Sequence, residues 1–292
     1  MTGRRARIAE LANQPIYCLA CPGNYQNPPV PVMIYRPTAV SARLLAILLL
    51  SVFACTARAN SLTIAAASDL RFALEEIVTA WREQNPDQDV RVVYGSSGKM
   101  STQISNGAPY DLFFSADISY PQQLQAQGFT ATDPVPYATG RIVLWSSILD
   151  ASALTLADLT GSDIEHIAIA QPAHAPYGLR AQEALQAAGI WEQVQSRLVF
   201  AENIAQAAQM AESGAATVGI IALSLAEFPR LAQHPYHLIP ASKHQPLRQA
   251  YVVTRRADNN AAALSFARFM TTDIARAVMA RYGFAPPGEP TL

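Results

Sequence analysis

The chain has 292 residues and a formal net charge of −1 at pH 7, and its three cysteines all lie before residue 60. Residues 1–59 also hold six of the 21 Lys and Arg and one of the 22 Asp and Glu, which leaves residues 60–292 with 15 basic and 21 acidic side chains, a net charge of −6. The lack of cysteine excludes a disulfide-stabilised scaffold for these 233 residues, and their acidic balance argues against nucleic-acid binding. They are enough for one large or two modest domains.

The start of the chain has the organisation of an exported protein. Residues 1–32 are rich in Arg, Pro and Asn without periodicity, and we interpret them as a non-native or disordered leader. Residues 33–59 predict a cleaved signal peptide, because Arg36 and Arg43 precede an apolar run over residues 44–54 and a small-residue cleavage pattern follows. The apolar run is too short for a membrane-spanning helix, which needs about 20 residues. The expected location is therefore the periplasm.

The three cysteines are not expected to carry chemistry. Cys18 and Cys21 form a single CxxC pair, a weak zinc signal that we interpret as accidental. Cys55 raises the alternative of a lipid-anchored protein, but the bulky Phe53 two residues before it disfavours a lipoprotein site.

Short apolar runs alternate with segments of helical periodicity along the rest of the chain. In the first helix, apolar residues recur at helical spacing from Leu70 to Trp81, and the segment closes near Pro86. Strands are predicted at residues 62–67, 90–94, 111–116, 141–146, 166–171, 198–200 and 216–223, with an antiparallel or returning strand at 248–254. Helices are predicted after residues 69 and 96 and at residues 117–127, 177–189, 203–214, 258–272 and 273–281.

This alternation predicts an α/β fold in which helices flank mainly parallel sheets. Chain crossings near residues 137–141 and 241–248 would divide it into two lobes, as in a periplasmic-binding-protein fold. The first lobe would be discontinuous and contain residues 60–138 and 246–292, and the second would contain residues 139–245. Since ligands of open α/β sheets bind outside the carboxyl ends of the strands, the ligand is expected in the cleft between the lobes.

Five turns share one design, in which a strand ends in small or hydroxyl residues and a helix begins. Each would direct free helix N–H groups and the positive end of a helix dipole at one point, an arrangement that binds anions without a basic side chain. A single turn of this kind is explained by ordinary helix capping, whereas five that converge favour an anion site. The turns lie at residues 65–70, 94–100, 113–117, 171–178 and 200–207.

Motifs of catalysis and metal binding are not recognisable in these residues. The turn YGSSGKM at residues 94–100 lacks the glycine spacing of a nucleotide-binding P-loop, and it does not fit the Gly-x-Ser-x-Gly of a hydrolase. His234 and His237 have a metal-like spacing but are interpreted as solvated loop residues. We therefore predict no catalytic residue, no cofactor and no enzyme activity.

Several segments together resemble the periplasmic molybdate-binding proteins of ABC transporters. The resemblance covers about residues 61–285, and the block from Tyr94 to Asp117 is its most specific part. The segments that carry it are TIAAASDL, YGSSGKMSTQISNGAPYDLFFSAD, AENIAQA, VGII and RYGF.

The resemblance implies a receptor that closes over one tetrahedral oxyanion, molybdate or tungstate, and delivers it to the membrane permease of an ABC transporter. It also implies neutral donors, without a metal ion or a basic side chain, in a protein that we expect to be a monomer. Ser68 and Ser97 would donate through hydroxyl and backbone N–H groups, and Ala116 and Ile204 through backbone N–H groups alone. Tyr177 is the candidate for a further hydroxyl donor.

Two positions depart from the family pattern. Ala222 stands where many members have a donating tyrosine, so Tyr177 is taken as its replacement. Asp69 follows Ser68, and since a carboxylate repels a dianion, we expect Asp69 to cap the helix with its side chain turned away. An Asp69 directed into the pocket would instead favour phosphate, whose proton needs an acceptor.

Three alternatives remain open at this point. The first is a receptor for another tetrahedral oxyanion, sulfate or phosphate. The second is a secreted hydrolase on an α/β scaffold, which lacks a recognisable nucleophile and base. The third is the effector part of a transcription regulator, which the signal peptide and the lack of a DNA-binding motif argue against.

Overall fold

A computed structural model describes residues 61–288 of the chain. The leader, the signal peptide and the three cysteines lie outside the described residues, so the interpretations of them remain predictions. Within the part that is described, none of the helices is both long and apolar enough to cross a membrane.

Strands and helices alternate through the described residues, as the sequence predicts. The strands are β1 Ser61–Ala67, β2 Asp89–Gly95, β3 Leu112–Ser115, β4 Val135–Gly140, β5 Ile142–Trp145, β6 Ile167–Ala170, β7 Leu198–Ala201, β8 Val218–Ala222, β9 Tyr236–Leu238 and β10 Leu247–Val253. The helices are α1 Arg71–Gln84, α2 Ser97–Ser105, α3 Ser119–Ala126, α4 Pro176–Ala187, α5 Trp191–Val194, α6 Ile204–Glu212, α7 Leu223–Ala226, α8 Ala261–Phe269 and α9 Asp273–Arg281.

The strands form two five-stranded sheets, and each sheet with its helices makes one lobe. The sheet of the first lobe has the order β2-β1-β3-β10-β4, and that of the second lobe has the order β7-β6-β8-β5-β9. The chain passes from the first sheet to the second at Arg141, between β4 and β5, and returns between β9 and β10. The predicted two-lobed α/β fold is thus confirmed.

Both sheets are mixed rather than mainly parallel. In the first, β1 pairs in parallel with β2 and β3, but β10 is antiparallel to β3 and β4. In the second, β6 pairs in parallel with β7 and β8, but β5 is antiparallel to β8 and β9. The antiparallel pairs involve β5 and β10, the strands that follow the two crossings, where the chain changes sheet without an α-helix.

Two strands, β4 and β9, were not predicted. β4 contains Pro136, a residue that lacks the N–H of a ladder donor, and it lies at the sheet edge where the register shifts beside Gln249. β9 contains His237, so the interpretation of the segment from His234 to His237 as a loop is wrong for its second half. The ring of His234 packs edge-on against Trp145, with ring centroids 5.4 Å apart.

Each lobe has its own apolar core between sheet and helices. In the first lobe Trp81, Phe114 and Phe266 are fully buried, and Phe266 contacts the other two rings edge to face. The core of the second lobe, centred on strands β5, β6 and β8, also includes Ala67 and Ala116, which belong to turns of the first lobe. The lobes therefore pack against each other where the strands of the first lobe end.

Gly178 permits a close approach in the second lobe between helix α4 and the end of strand β6. A Cβ atom at this position would overlap the backbone carbonyl of Ala170, which cannot move without distorting the strand. Because Tyr177 precedes Gly178, the same approach determines where the tyrosine ring enters the cleft.

We predict that Gly178→Ala lowers the free energy of unfolding by about 2–3 kcal/mol, the cost of forcing extra volume into a packed interior. Gln186→Ala, an exposed change in the same helix, should leave stability nearly unchanged. Urea unfolding of both variants measures the difference, and equal stabilities would show that the helix can shift at no cost.

Candidate functional site

One hollow between the lobes collects all five turns predicted to bind an anion. Three turns come from the first lobe, after β1, β2 and β3, and two from the second, after β6 and β7. Since these are the carboxyl ends of parallel strands, the hollow lies where α/β sheets bind their ligands. It is lined by Ala67, Ser68, Asp69, Gly95, Ser96, Ser97, Ala116, Ala175, Pro176, Tyr177 and Ile204.

The five residues predicted to bind the ligand are therefore together. Ser68 follows β1, Ser97 is the first residue of α2, and Ala116 follows β3. Tyr177 lies in the first turn of α4, and Ile204 is the first residue of α6. The backbone N–H groups in the first turn of a helix have no acceptor within it, so Ser97 and Ile204 bring such amides to the hollow.

The serine hydroxyls accept hydrogen bonds from backbone amides at the hollow. Ser97 Oγ accepts from the N–H of Ala116 at 3.0 Å, and Ser68 Oγ accepts from the N–H of Ala205 at 3.2 Å. Ser68 also donates its hydroxyl proton to Asn203 Oδ1 at 3.1 Å. Asn203 caps α6 by accepting from the N–H of Gln206, so this contact joins β1 of the first lobe to a helix start of the second.

The hollow is narrow in this conformation. The space between its walls is about 10 Å³, room for about one water-sized sphere. A tetrahedral oxyanion is larger, so its entry requires the two serine side chains to rotate or the lobes to part.

Asp69 is the acidic member of the hollow. Its side chain is buried, and its Oδ2 accepts hydrogen bonds from Tyr177 Oη at 2.9 Å and Gln249 Nε2 at 2.7 Å. The other oxygen, Oδ1, is buried without a hydrogen-bond partner. Ser224 Oγ donates to the backbone carbonyl of Asp69 at 2.8 Å, which holds the turn from the second lobe.

The expectation that Asp69 caps a helix with its side chain turned away from the cleft is therefore wrong. The cap positions of this turn, Ala67 and Leu70, make no side-chain cap hydrogen bond. The carboxylate instead bridges the lobes to Tyr177, because the buried phenol needs an acceptor and Asp69 supplies one. Ala222 is not among the residues that line the hollow.

Gln249 is the residue of this cluster that sequence reasoning missed. It lies in strand β10, fully buried, and donates from Nε2 both to Asp69 Oδ2 and to Tyr177 Oη, at 3.0 Å. Its Oε1 accepts from Tyr137 Oη at 2.7 Å. Its position directly before the apolar residues 250–253 of β10, two residues after the buried Leu247, is the signal that could have found it, because buried amides require partners.

Burial raises the pKa of Asp69 from its ordinary value near 3.8 to about 6, although the hydrogen bonds from Gln249, Tyr177 and nearby backbone amides oppose the rise. Burial and the charge of Asp69 raise the pKa of the Tyr177 phenol well above its ordinary value. Tyr177 is therefore neutral at physiological pH, and Asp69 is the group of this cluster that titrates near it.

Further contacts hold the lobes together around the hollow. Arg180 donates to Asp117 across the cleft at 2.9 Å, and both side chains are largely buried. Phe72 stacks on Phe228, with ring centroids 3.6 Å apart and planes 7° from parallel. Lys99 pairs with Glu202 at the rim. The structure is thus that of closed lobes.

A serine and a histidine also meet across the cleft, which the sequence did not indicate. Ser96 Oγ and His174 Nδ1 are 2.9 Å apart, and the N–H of Gly98 donates to the carbonyl of His174 at 2.9 Å. Among the hydrogen bonds of residues 61–288, none joins the His174 ring to a carboxylate, which a catalytic triad would require. These residues also contain no cluster of three or more His, Cys, Asp and Glu suited to a metal ion.

The fold and the hollow define a two-lobed ligand-binding protein, with the ligand site at the lobe interface. Comparison with known proteins gives the family. Residues 62–285 match the family of bacterial extracellular solute-binding proteins, and the chain belongs to that family.

Known relatives agree with this assignment. The molybdate-binding protein ModA of Rhodobacter capsulatus is 31% identical over 257 residues, which cover 86% of this chain and 99% of the relative. The structure of the periplasmic molybdate-binding protein of Azotobacter vinelandii matches with a TM-score of 0.72 at 34% identity, over 77% of this chain and 99% of that chain. These matches confirm the resemblance drawn from the sequence.

A more distant match shows likeness of fold alone. The sulfate-binding protein SubI of Mycobacterium tuberculosis has a TM-score of 0.64 at 17% identity, over 77% of this chain and 86% of that chain.

We predict that Asp69 makes the protein less stable as pH rises from about 4 to above 6. In that range the folded state binds the Asp69 proton more tightly than the unfolded state, so stability falls with pH, by about 3 kcal/mol in total. Urea unfolding across this range should show a smaller fall in Asp69→Asn, whereas the exposed control Asp163→Asn should follow the unmodified protein. Parallel curves for all three proteins would mean that Asp69 does not titrate in this range.

Proposed function

We propose that this protein is the periplasmic molybdate receptor of an ABC transporter, which binds the anion between its lobes and delivers it to a membrane permease. The observation that carries the proposal is the convergence of Ser68, Ser97, Ala116, Tyr177 and Ile204 on one hollow. It is supported by relatives named for molybdate binding that match nearly their whole length.

The donor set suits a fully ionised oxyanion. Molybdate accepts hydrogen bonds and donates none, and the backbone N–H groups and hydroxyls of the hollow are neutral donors. Helix starts add the positive end of the dipole, so no basic side chain is needed. The net charge of −6 over residues 60–292 does not prevent binding, because surface charges farther away than about 8–10 Å are screened at physiological salt.

Binding would exchange one set of acceptors for another. In the closed structure the oxygens of Ser97 and Ser68 accept the N–H groups of Ala116 and Ala205. An anion oxygen would replace each serine oxygen as acceptor, and the freed hydroxyls would turn to donate to the anion. Because the exchange keeps these amides paired, the anion can enter without leaving a buried N–H group without an acceptor. Tungstate has the same charge and shape and would bind by the same donors.

Phosphate is the second candidate, and one observation favours it. Asp69 is one of the residues that line the hollow, and its buried Oδ1 has no hydrogen-bond partner. Hydrogen phosphate carries a proton that needs such an acceptor. Sulfate, by contrast, has no proton to give at neutral pH and differs from molybdate mainly in size.

We infer that the protein is a receptor and not an enzyme, that it needs no cofactor, and that it acts as a monomer. The Ser96–His174 pair then serves as a lobe contact rather than as a nucleophile and base. Its place next to the Lys99–Glu202 pair at the rim supports this role, because both would form as the lobes close.

Calorimetric titration of the purified protein with molybdate, tungstate, sulfate and phosphate, each in turn, tests the ligand. We expect dissociation constants of about 1 µM or tighter for molybdate and tungstate and far weaker binding of sulfate. Tight binding of sulfate or phosphate, with weak binding of molybdate, would overturn the proposal.

Removing the Ser97 hydroxyl tests the donor set. Ser97→Ala should weaken molybdate binding by about 1–3 kcal/mol, since one buried hydrogen bond to a charged group is lost. Ser105→Ala removes a hydroxyl from the same helix that donates to the carbonyl of Ser101, and it should leave the affinity unchanged. Equal affinities for the two variants would show that Ser97 does not contact the anion.

A further inference from the structure

Asp69, one of the residues that line the hollow, has a buried carboxyl oxygen, Oδ1, without a hydrogen-bond partner. We propose that the site binds its tetrahedral oxyanion together with one proton, held between Oδ1 of Asp69 and the anion. Asp69 would thus be a specificity-determining residue that couples binding to pH. The inference rests on the proposed function for the identity of the anion.

The two oxygens of Asp69 have different surroundings. Oδ2 accepts from Tyr177 Oη and Gln249 Nε2, whereas Oδ1 is buried and has no partner. A buried carboxylate oxygen without a donor is costly, because it has lost water and gained nothing in return. A proton on Oδ1 turns that oxygen into a donor, and an oxyanion in the hollow is an acceptor suited to it.

The neighbouring side chains Tyr177 and Gln249 have no hydrogen to spare for Oδ1. The single hydroxyl hydrogen of Tyr177 is directed to Oδ2. The orientation of the Gln249 amide is set by Tyr137, which donates to Oε1 and so leaves Nε2 toward Asp69 and Tyr177. The backbone amides of Asp69 and Leu70, which also oppose the rise of its pKa, make no hydrogen bond to Oδ1. The hydrogen bond that Oδ1 lacks would then involve a proton of its own or one carried by the ligand.

The charges around Asp69 also favour a proton on this side chain when an anion is bound. The titratable groups that face Asp69 are Tyr177 on α4 and Tyr137 on β4, and burial together with the Asp69 charge raises the pKa of both phenols, so they stay neutral. Gln249 is uncharged, and among the described residues no cation contributes to the raised pKa of Asp69. A dianion placed beside an ionised Asp69 would add negative charge to a buried site with no cation to balance it, which raises the pKa of Asp69 further.

The bound proton has a source for either anion. When the anion is molybdate, the proton comes from solvent and binds to ionised Asp69 as the complex forms. When the anion is hydrogen phosphate, it brings the proton, and none is taken from solvent. Molybdate affinity should therefore fall about tenfold for each pH unit above the pKa of Asp69, which is about 6 before the anion binds.

The test is calorimetric titration with sodium molybdate at several pH values between about 6 and 9, in buffers of different ionisation enthalpy. The protein should take up close to one proton at the alkaline end and lose affinity about tenfold for each pH unit. Asp69→Asn, the isosteric neutral variant, should take up none and bind with an affinity that does not change with pH.

A second variant, Tyr177→Phe, tests the inference even if Asp69→Asn does not fold. Tyr177→Phe keeps the carboxyl but removes a hydrogen bond that lowers the pKa of Asp69, so the fall in affinity should begin at higher pH while proton uptake persists. This shift is not expected if Tyr177 and Asp69 act only in packing.

The outcomes separate the inference from the proposed function. Molybdate binding without proton uptake, or uptake that survives in Asp69→Asn, overturns the inference and leaves the receptor intact. If molybdate does not bind at any pH, the proposed function fails. The inference is then tested by titrating phosphate into the unmodified protein and into Asp69→Asn. Phosphate binding that is lost in Asp69→Asn supports it, and no phosphate binding, or phosphate binding that Asp69→Asn retains, overturns it.

Discussion

Backbone amides at the starts of helices must find acceptors, and this requirement shapes the site. The turns after β1, β2, β3, β6 and β7 bring such amides to one place, and a helix cannot satisfy those of its own first turn. In the closed structure Ser68 Oγ accepts from the amide of Ala205 in the first turn of α6, and Ser97 Oγ accepts from the amide of Ala116 in the turn after β3. The serines thus hold the hollow together when it is narrow and are placed to become donors when an anion enters.

The part of the fold that depends on local pattern could be predicted from the sequence. The alternation of apolar runs and helical periodicity gave the order of the elements and the two lobes, and small or hydroxyl residues at strand ends gave the five turns. Ser97 and Ile204 were named from the resemblance to molybdate-binding proteins, and their places at the start of a helix agree with donation through backbone N–H groups.

What could not be predicted depends on contacts between distant parts of the chain. Asp69 and Gln249 are 180 positions apart, and the carboxylate turned out to bind a strand of its own lobe and a helix of the other. Nothing local distinguishes such an aspartate from a helix cap. The edge strand β4, with its proline, and the Ser96–His174 contact were missed for the same reason, since each depends on a partner that sequence spacing does not reveal.

The contacts between the two lobes differ in how they depend on pH, and closure of the lobes depends on pH as a result. Phe72 and Phe228 stack without regard to pH, whereas the contact from Asp69 to Tyr177 depends on the charge of a buried carboxylate. Desolvation of that carboxylate opposes closure, and the hydrogen bonds from Tyr177 and Gln249 only partly offset it, as the raised pKa of Asp69 shows. Protonation removes the desolvation cost of the charge, so a closed site built around Asp69 is more favourable with the proton than without it.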